Sequence, residues 1–137
     1  MIEKIVHNDI VIAVIIYKDH EKDGIQFVSP EDYSLQLGSM KRPKGYKILP
    51  HIHNPIDRKT VGTQEVLFVK KGKICIDFYS FEQVFLENRQ LSAGDIILLV
   101  GAGHGIEVIE EAVIVEVKNG PYVKDADKGR FEGKKGA

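Results

Sequence analysis

The feature that most constrains this chain is its punctuation. Short runs rich in Val, Ile, Phe and Tyr recur along it, and each is cut off by a cluster of turn-forming residues. β-branched and aromatic residues favour a pleated backbone, and Gly, Pro and Asp stop it. The candidate strands are Ile10–Tyr17, Ile25–Val28, Tyr33–Met40, Tyr46–His53, Glu65–Lys70, Lys73–Tyr79, Gln83–Leu91, Asp95–Val100, Gly105–Ile109 and Ala112–Lys118. Between them lie Lys22-Asp23-Gly24, Arg42-Pro43-Lys44-Gly45, Lys71-Gly72, Ala93-Gly94-Asp95 and Gly101-Ala102-Gly103. Many strands at close spacing point to an all-β sandwich or barrel. Helical periodicity is poor. The best helical stretch, Glu82–Gln90, fits a strand equally well.

Alternation within a strand sharpens this. In Lys73–Tyr79, Ile74, Ile76 and Phe78 share one face, and Cys75, Asp77 and Tyr79 share the other. The first face reads as core and the second as mixed. With 137 residues, 43% of them apolar, the chain is expected to form a single domain over 1–137. Its tail from about Lys124, rich in Lys, Asp and Gly, is expected to be flexible.

Charge and cysteine exclude some classes. Lys plus Arg nearly balance Asp plus Glu, for a net charge of -1, so no nucleic-acid partner is expected. Cys75 is the only cysteine, which rules out an internal disulfide, and it reads as a small packed residue rather than a nucleophile. The run Ile10 to Ile16 is too short to span a bilayer and lacks a signal-peptide pattern. A cytoplasmic location without membrane association is therefore expected.

The chemistry gathers on histidines. His51 and His53 are two apart, so on a strand they point the same way, with Cα atoms about 6.5–7 Å apart, and can converge on one ion. A further ligand must come from another strand. Glu65 opens the next run, on the face of Leu67 and Val69. His104 follows Gly101-Ala102-Gly103, where glycine permits a tight bend. His7 and His20 lie among polar residues and read as surface histidines.

Two segments carry a resemblance. Gly45-Tyr46-Lys47-Ile48-Leu49-Pro50-His51-Ile52-His53, followed by Glu65 and by Gly72 seven positions later, resembles the first motif of the cupin family. Gly94-Asp95-Ile96-Ile97-Leu98-Leu99-Val100-Gly101-Ala102-Gly103-His104 resembles the second. The likeness spans Gly45 to about Ile109. It implies a double-stranded antiparallel β-barrel of the jelly-roll type that binds one divalent metal through His51, His53, Glu65 and His104. Eleven residues, Asn54 to Gln64, separate His53 from Glu65, more than the family usually has there. A loop insertion costs little closure entropy. Gln64 is the alternative inward residue. The second motif is one residue shorter than usual and has Val100 where a proline is common.

The ligand set suits Zn, Fe, Mn, Ni or Co, and leaves room for water, substrate or dioxygen. The resemblance implies a metal-dependent enzyme, of isomerase or epimerase type, acting on a small polar or sugar-like anion, as in cupins of bacterial polysaccharide metabolism. The alternatives are an Fe(II) dioxygenase and a non-catalytic barrel that binds a small molecule or a structural ion. Arg58 and Lys59, on the loop at the barrel mouth, are candidates to hold a carboxylate or phosphate; a solvated turn is the plainer reading. Glu116 and Lys118 share a face. On the usual exposure of charges that face is the exterior; if it is the lumen, they are acid–base candidates. A homodimer is expected, with the apolar strand Ile10–Ile16 pairing between copies.

Overall fold

A computed structural model describes residues 1–60, 62–123 and 128–133. Eight strands form: β1 Ile2–His7, β2 Ile10–Ile16, β3 Gly24–Phe27, β4 Gly38–Lys41, β5 Glu65–Tyr79, β6 Phe85–Ser92, β7 Ile96–Leu99 and β8 Gly103–Lys118. There is no helix among the described residues, so the protein is all-β. None of its elements is a helix long and apolar enough to cross a membrane. The stretch Glu82–Gln90 resolves to a turn followed by strand β6.

One antiparallel sheet runs β1-β2-β7-β5-β6, with β8 paired to β5, while β3 and β4 form a separate hairpin. The long partners β5 and β8 organise it. The first half of β5 pairs with β7 and with the end of β8, through Glu65 opposite both Leu99 and Lys118. Its second half pairs with β6 and with the start of β8, through Phe78 opposite His104. A straight strand would hold Glu65 and Phe78 roughly 43 Å apart at ~3.3 Å per residue. Yet His104, the partner of Phe78, has its Nε2 3.3 Å from Glu65 Oε1. The ribbon is therefore folded back on itself, and the curled sheet makes a half-barrel of two facing layers.

The fold-back is local. The β5–β8 register slips three times between Val69 and Ile74. In the middle sits Gly72, with φ +83°, and a Cβ there would run into the carbonyl of Glu111 on β8. Sequence patterning predicts two strands separated by a turn at Lys71-Gly72; the glycine instead bends one continuous strand. The same holds on β8, where Gly105–Ile109 and Ala112–Lys118 are a single strand.

Between the layers lies the core. Leu67 and Val69 from one half of β5 meet Ile74, Ile76 and Phe78 from the other, together with Ile5, Ile15, Leu91 and Ile97. The face expected to be buried on β5 is buried. Tyr79, on the other face, is also buried, beneath Phe85 and Phe131. Phe131 lies in the tail, so the described residues 128–133 pack back onto the sheet; the flexibility expected of residues 124–127 and 134–137 falls outside the described residues.

Two polar ties hold the layers. Arg89 on β6 donates to Glu3 on β1 from Nε and Nη2, each at 3.1 Å, and the Tyr17 hydroxyl donates to the same carboxylate at 2.7 Å. The first and last strands of the sheet path are thus linked. Buried Asp95 accepts from Lys18 N at 2.8 Å and Ser92 N at 2.7 Å, pinning the β6–β7 turn to the chain beyond β2.

Two expectations need correction, and one strand has no counterpart in the sequence reading. Strand β1 reads too weakly in sequence to stand out. Tyr33–Met40 is strand only from Gly38, because residues 33–37 turn around Gln36, which donates to the carbonyls of Pro30 and Tyr33. Strand β2 cannot pair between copies, because β1 and β7 occupy both of its edges and its side chains from Ile12 onward are buried.

Gly72→Ala should lower stability by about 2–4 kcal/mol, from left-handed strain plus the clash, read as a lower urea midpoint. A variant of wild-type stability would show that the ribbon does not turn at this residue. The Glu3 carboxyl is held below its ordinary range, first by the Arg89 hydrogen bond and then by that of Tyr17. Its stabilisation is therefore present above the unfolded carboxyl value and lost as pH falls through the folded one. Both side chains are about three-tenths exposed, so screening leaves roughly 1 kcal/mol. Glu3→Gln should flatten the acid limb of a stability–pH curve by that amount.

Candidate functional site

Residues directly opposite in an antiparallel ladder point to the same face. Glu65 lies on the face of Leu67 and Val69, which is the concave side. Glu116 is opposite Leu67, Lys118 is opposite Glu65, and His104 is opposite Phe78. All four side chains therefore start on the concave side, and the folded ribbon brings them to one end of it. The side chain of Glu65 is mostly buried and that of His104 partly so.

Electrostatics couples this group. The Glu65 carboxyl is held well below its usual value, at about 2, first by the hydrogen bond to His104, with help from Glu116 and Lys118, and against the pull of desolvation. Glu116 moves the other way. Its hydrogen bond to Glu65 raises it, burial adds to the rise, and Lys118 opposes it. Two carboxyls at contact cannot both ionise cheaply. The shifts are opposite, so of the two carboxyls Glu65, beside His104, is the one favoured to ionise. Glu116 is exposed, as the usual exposure of charged residues leads one to expect, yet its register against Leu67 puts it on the concave side, where its carboxyl meets Glu65.

Gln64 faces elsewhere. Its Oε1 accepts from Leu35 N at 3.0 Å, and its backbone N–H donates to Asn119 Oδ1 at 2.7 Å. The alternation of the strand sends Gln64 and Glu65 to opposite sides, and Glu65 is the one that meets His104.

His51 and His53 form a second group. Their rings lie 5.2 Å apart between centroids, at 75°. His51 Nδ1 lies 2.8 Å from the carbonyl of Leu49. A carbonyl only accepts, so Nδ1 carries the proton and Nε2 keeps its lone pair. Residues 46–53 are not a strand, contrary to the expectation for Tyr46–His53. They belong to an exposed arm running from Arg42 to Thr60. No three His, Cys, Asp or Glu side chains among the described residues are grouped to hold a metal ion. The four expected ligands stand as two pairs.

Beside the Glu65 end lies an open cavity of about 370 Å³, lined by Thr60, Gly62, Thr63, Lys118, Asn119 and Tyr122, among others. Lys118 Nζ sits 5.6 Å from the centre of the Tyr122 ring. Arg58 and Lys59, the expected anion holders, are exposed on the arm and do not line this cavity; Lys118 is the cation that does. Thr60, Thr63 and Asn119, which also line it, carry no strong sequence signal. Cys75 is a poor nucleophile, since burial raises its thiol and Asp77 and Glu107 raise it further.

No protein-family model, curated protein or solved structure matches this chain.

In metal-free protein, carboxyl carbon NMR should find Glu116 titrating above the ordinary glutamate range. Glu65→Gln should bring it back down, because the carboxylate to which it is hydrogen-bonded is gone. An unshifted Glu116 in the wild type would disprove the coupled carboxyl pair.

Proposed function

We propose that this chain is a jelly-roll barrel of the cupin type that binds one divalent transition metal through His51, His53, Glu65 and His104, and uses it on a small anionic substrate. The observation that carries this reading is the apposition of Glu65, Glu116 and His104 on the concave face. A largely buried carboxylate beside an imidazole is a donor pair that a cation would stabilise. The exposed pair His51 and His53 supports it, because the Leu49 carbonyl fixes the His51 tautomer that leaves Nε2 free to coordinate. The donor set is nitrogen and carboxylate oxygen, fitting Zn, Fe, Mn, Ni or Co. The two pairs are separate in the single chain, so the full set requires the arm to dock against the concave face.

The metal would supply Lewis acidity. The chain's own residues would do the rest. Lys118, at the cavity wall, holds an anionic group of the substrate, with Thr60, Thr63 and Asn119 as hydrogen-bonding partners. Glu116, whose carboxyl is raised first by its hydrogen bond to Glu65, is the proton donor or acceptor of this reading. Acid–base chemistry of that kind favours an isomerase or epimerase over a dioxygenase.

Metal analysis of protein purified without an affinity metal tests this reading. The wild type should carry about one ion per chain, and His104→Ala and His51→Ala should each lose it. Retention of the ion in His51→Ala would remove the arm from the site. Metal-free wild type that takes up none of the five ions would end the proposal.

A further inference from the structure

Tyr79 closes β5 on the face opposite Phe78 and the core, yet only 4% of it is exposed. Phe85 covers it on one side, with ring centroids 5.8 Å apart, and Phe131 of the tail on the other, at 5.1 Å and 87°. Two glycines leave room for the tail. A Cβ on Gly103, the ladder partner of Tyr79, would stand 3.1 Å from both the Phe131 ring and Tyr79 Cβ. One on Gly133 would stand 2.5 Å from Tyr79 Oη. Neither glycine is in the left-handed region, so what each supplies is space and not a special backbone conformation.

The anchor is a single ring. Lys128, Gly129, Arg130, Glu132 and Gly133 are exposed, and Phe131 alone is partly buried. A segment held at one point belongs to the part of a fold that opens most readily. Its position gives this opening a consequence. Gly103 precedes His104, whose Nε2 lies 3.3 Å from Glu65 Oε1. Three positions up the tail, Lys128 is close enough to Glu116 for its charge to oppose the rise caused first by the Glu65 hydrogen bond. Three residues of chain reach at most about 11 Å. The stretch 128–131 therefore borders the Glu65–Glu116–His104 group, from beside Glu116 to the residue before His104. With this stretch docked, the side chains of His104 and Glu65 are only 30% and 14% exposed.

We infer that residues 128–133 are a releasable strap, docked by Phe131 against Tyr79 and Gly103, that narrows the entrance to the Glu65–His104 pair. Docked, it shields the imidazole; released, it admits a ligand or reagent. The strap acts on access alone, so it stands whether or not that pair binds a metal.

Chemical modification, read residue by residue in a mass spectrometer, tests it. In the wild type, N-acetylimidazole should spare Tyr79 and modify Tyr46 and Tyr122, which are exposed. Phe131→Ala should open Tyr79 to the reagent. In the same variant diethyl pyrocarbonate, at alkaline pH, should modify His104 faster by up to about threefold, the gain that full exposure of a 30% exposed ring allows. His51 and His53, exposed on the arm, should keep their wild-type rates. Gly133→Ala, whose added methyl would press on Tyr79 Oη, should act in the same direction. Both changes lie outside the strands, and circular dichroism should show the β-structure unchanged. An opened Tyr79 with His104 at its wild-type rate would overturn the inference, since the tail would then cover Tyr79 without narrowing any entrance. So would a Tyr79 that stays protected in Phe131→Ala, or a rise shared equally by all the histidines, which is the mark of general loosening.

Discussion

The bend in the β5–β8 ribbon is the constraint on which everything else in this molecule depends. Two strands of this length would, if straight, make a flat hairpin with nothing to bury. Folding at Gly72 sets the two halves of β5 face to face, and Leu67 and Val69 then close on Ile74, Ile76 and Phe78. The same bend carries His104 to Glu65 and Glu116. Core and site are two consequences of a single backbone turn. Its requirement is a residue without a Cβ at a left-handed position against the Glu111 carbonyl.

Glu65 and Glu116 also show why a polar group belongs at the end of this core. A carboxylate taken out of water is costly unless its lone pairs are used. Glu65 uses them on His104 and on Glu116. The Glu3–Arg89–Tyr17 cluster solves the same problem between β1 and β6 with an opposite charge. The clusters differ in kind: Glu3 is hydrogen-bonded directly to a permanent cation, whereas Glu65 is hydrogen-bonded to an imidazole and to Glu116, with Lys118 acting through its charge. That difference is the physical reason to seek a ligand at the second and not at the first.

Among the described residues, β8 pairs with β5 alone. Glu3 and Arg89 tie the far edges of the sheet path together. The segment expected as a further strand, Tyr46–His53, stands away in the arm, and the two histidines stand with it. The four side chains stand as two pairs, His51 with His53 on the arm and Glu65 with His104 on the concave face.

Local chemistry written in the sequence determined the all-β class, the buried face Ile74-Ile76-Phe78 and the positions of β2, β3, β6 and β7, while it left Glu65 and Gln64 both open as the inward residue. Each follows from alternation and turn residues within a few positions. Strand β1 escaped because Glu3 and Lys4 interrupt its apolar pattern, and Glu3 makes sense only opposite Arg89, 86 residues away. Gly72 reads as a turn between strands because a left-handed glycine looks the same in sequence whether it ends a strand or bends one. The side on which Glu116 lies was hidden for a similar reason: alternation says that Glu116 and Lys118 share a face, and only the register against Leu67 and Glu65 says which face. Periodicity fixes what lies together along one strand. Which strands meet, and which side of them is inside, is decided by long-range pairing, and that information is carried by no single segment of the chain.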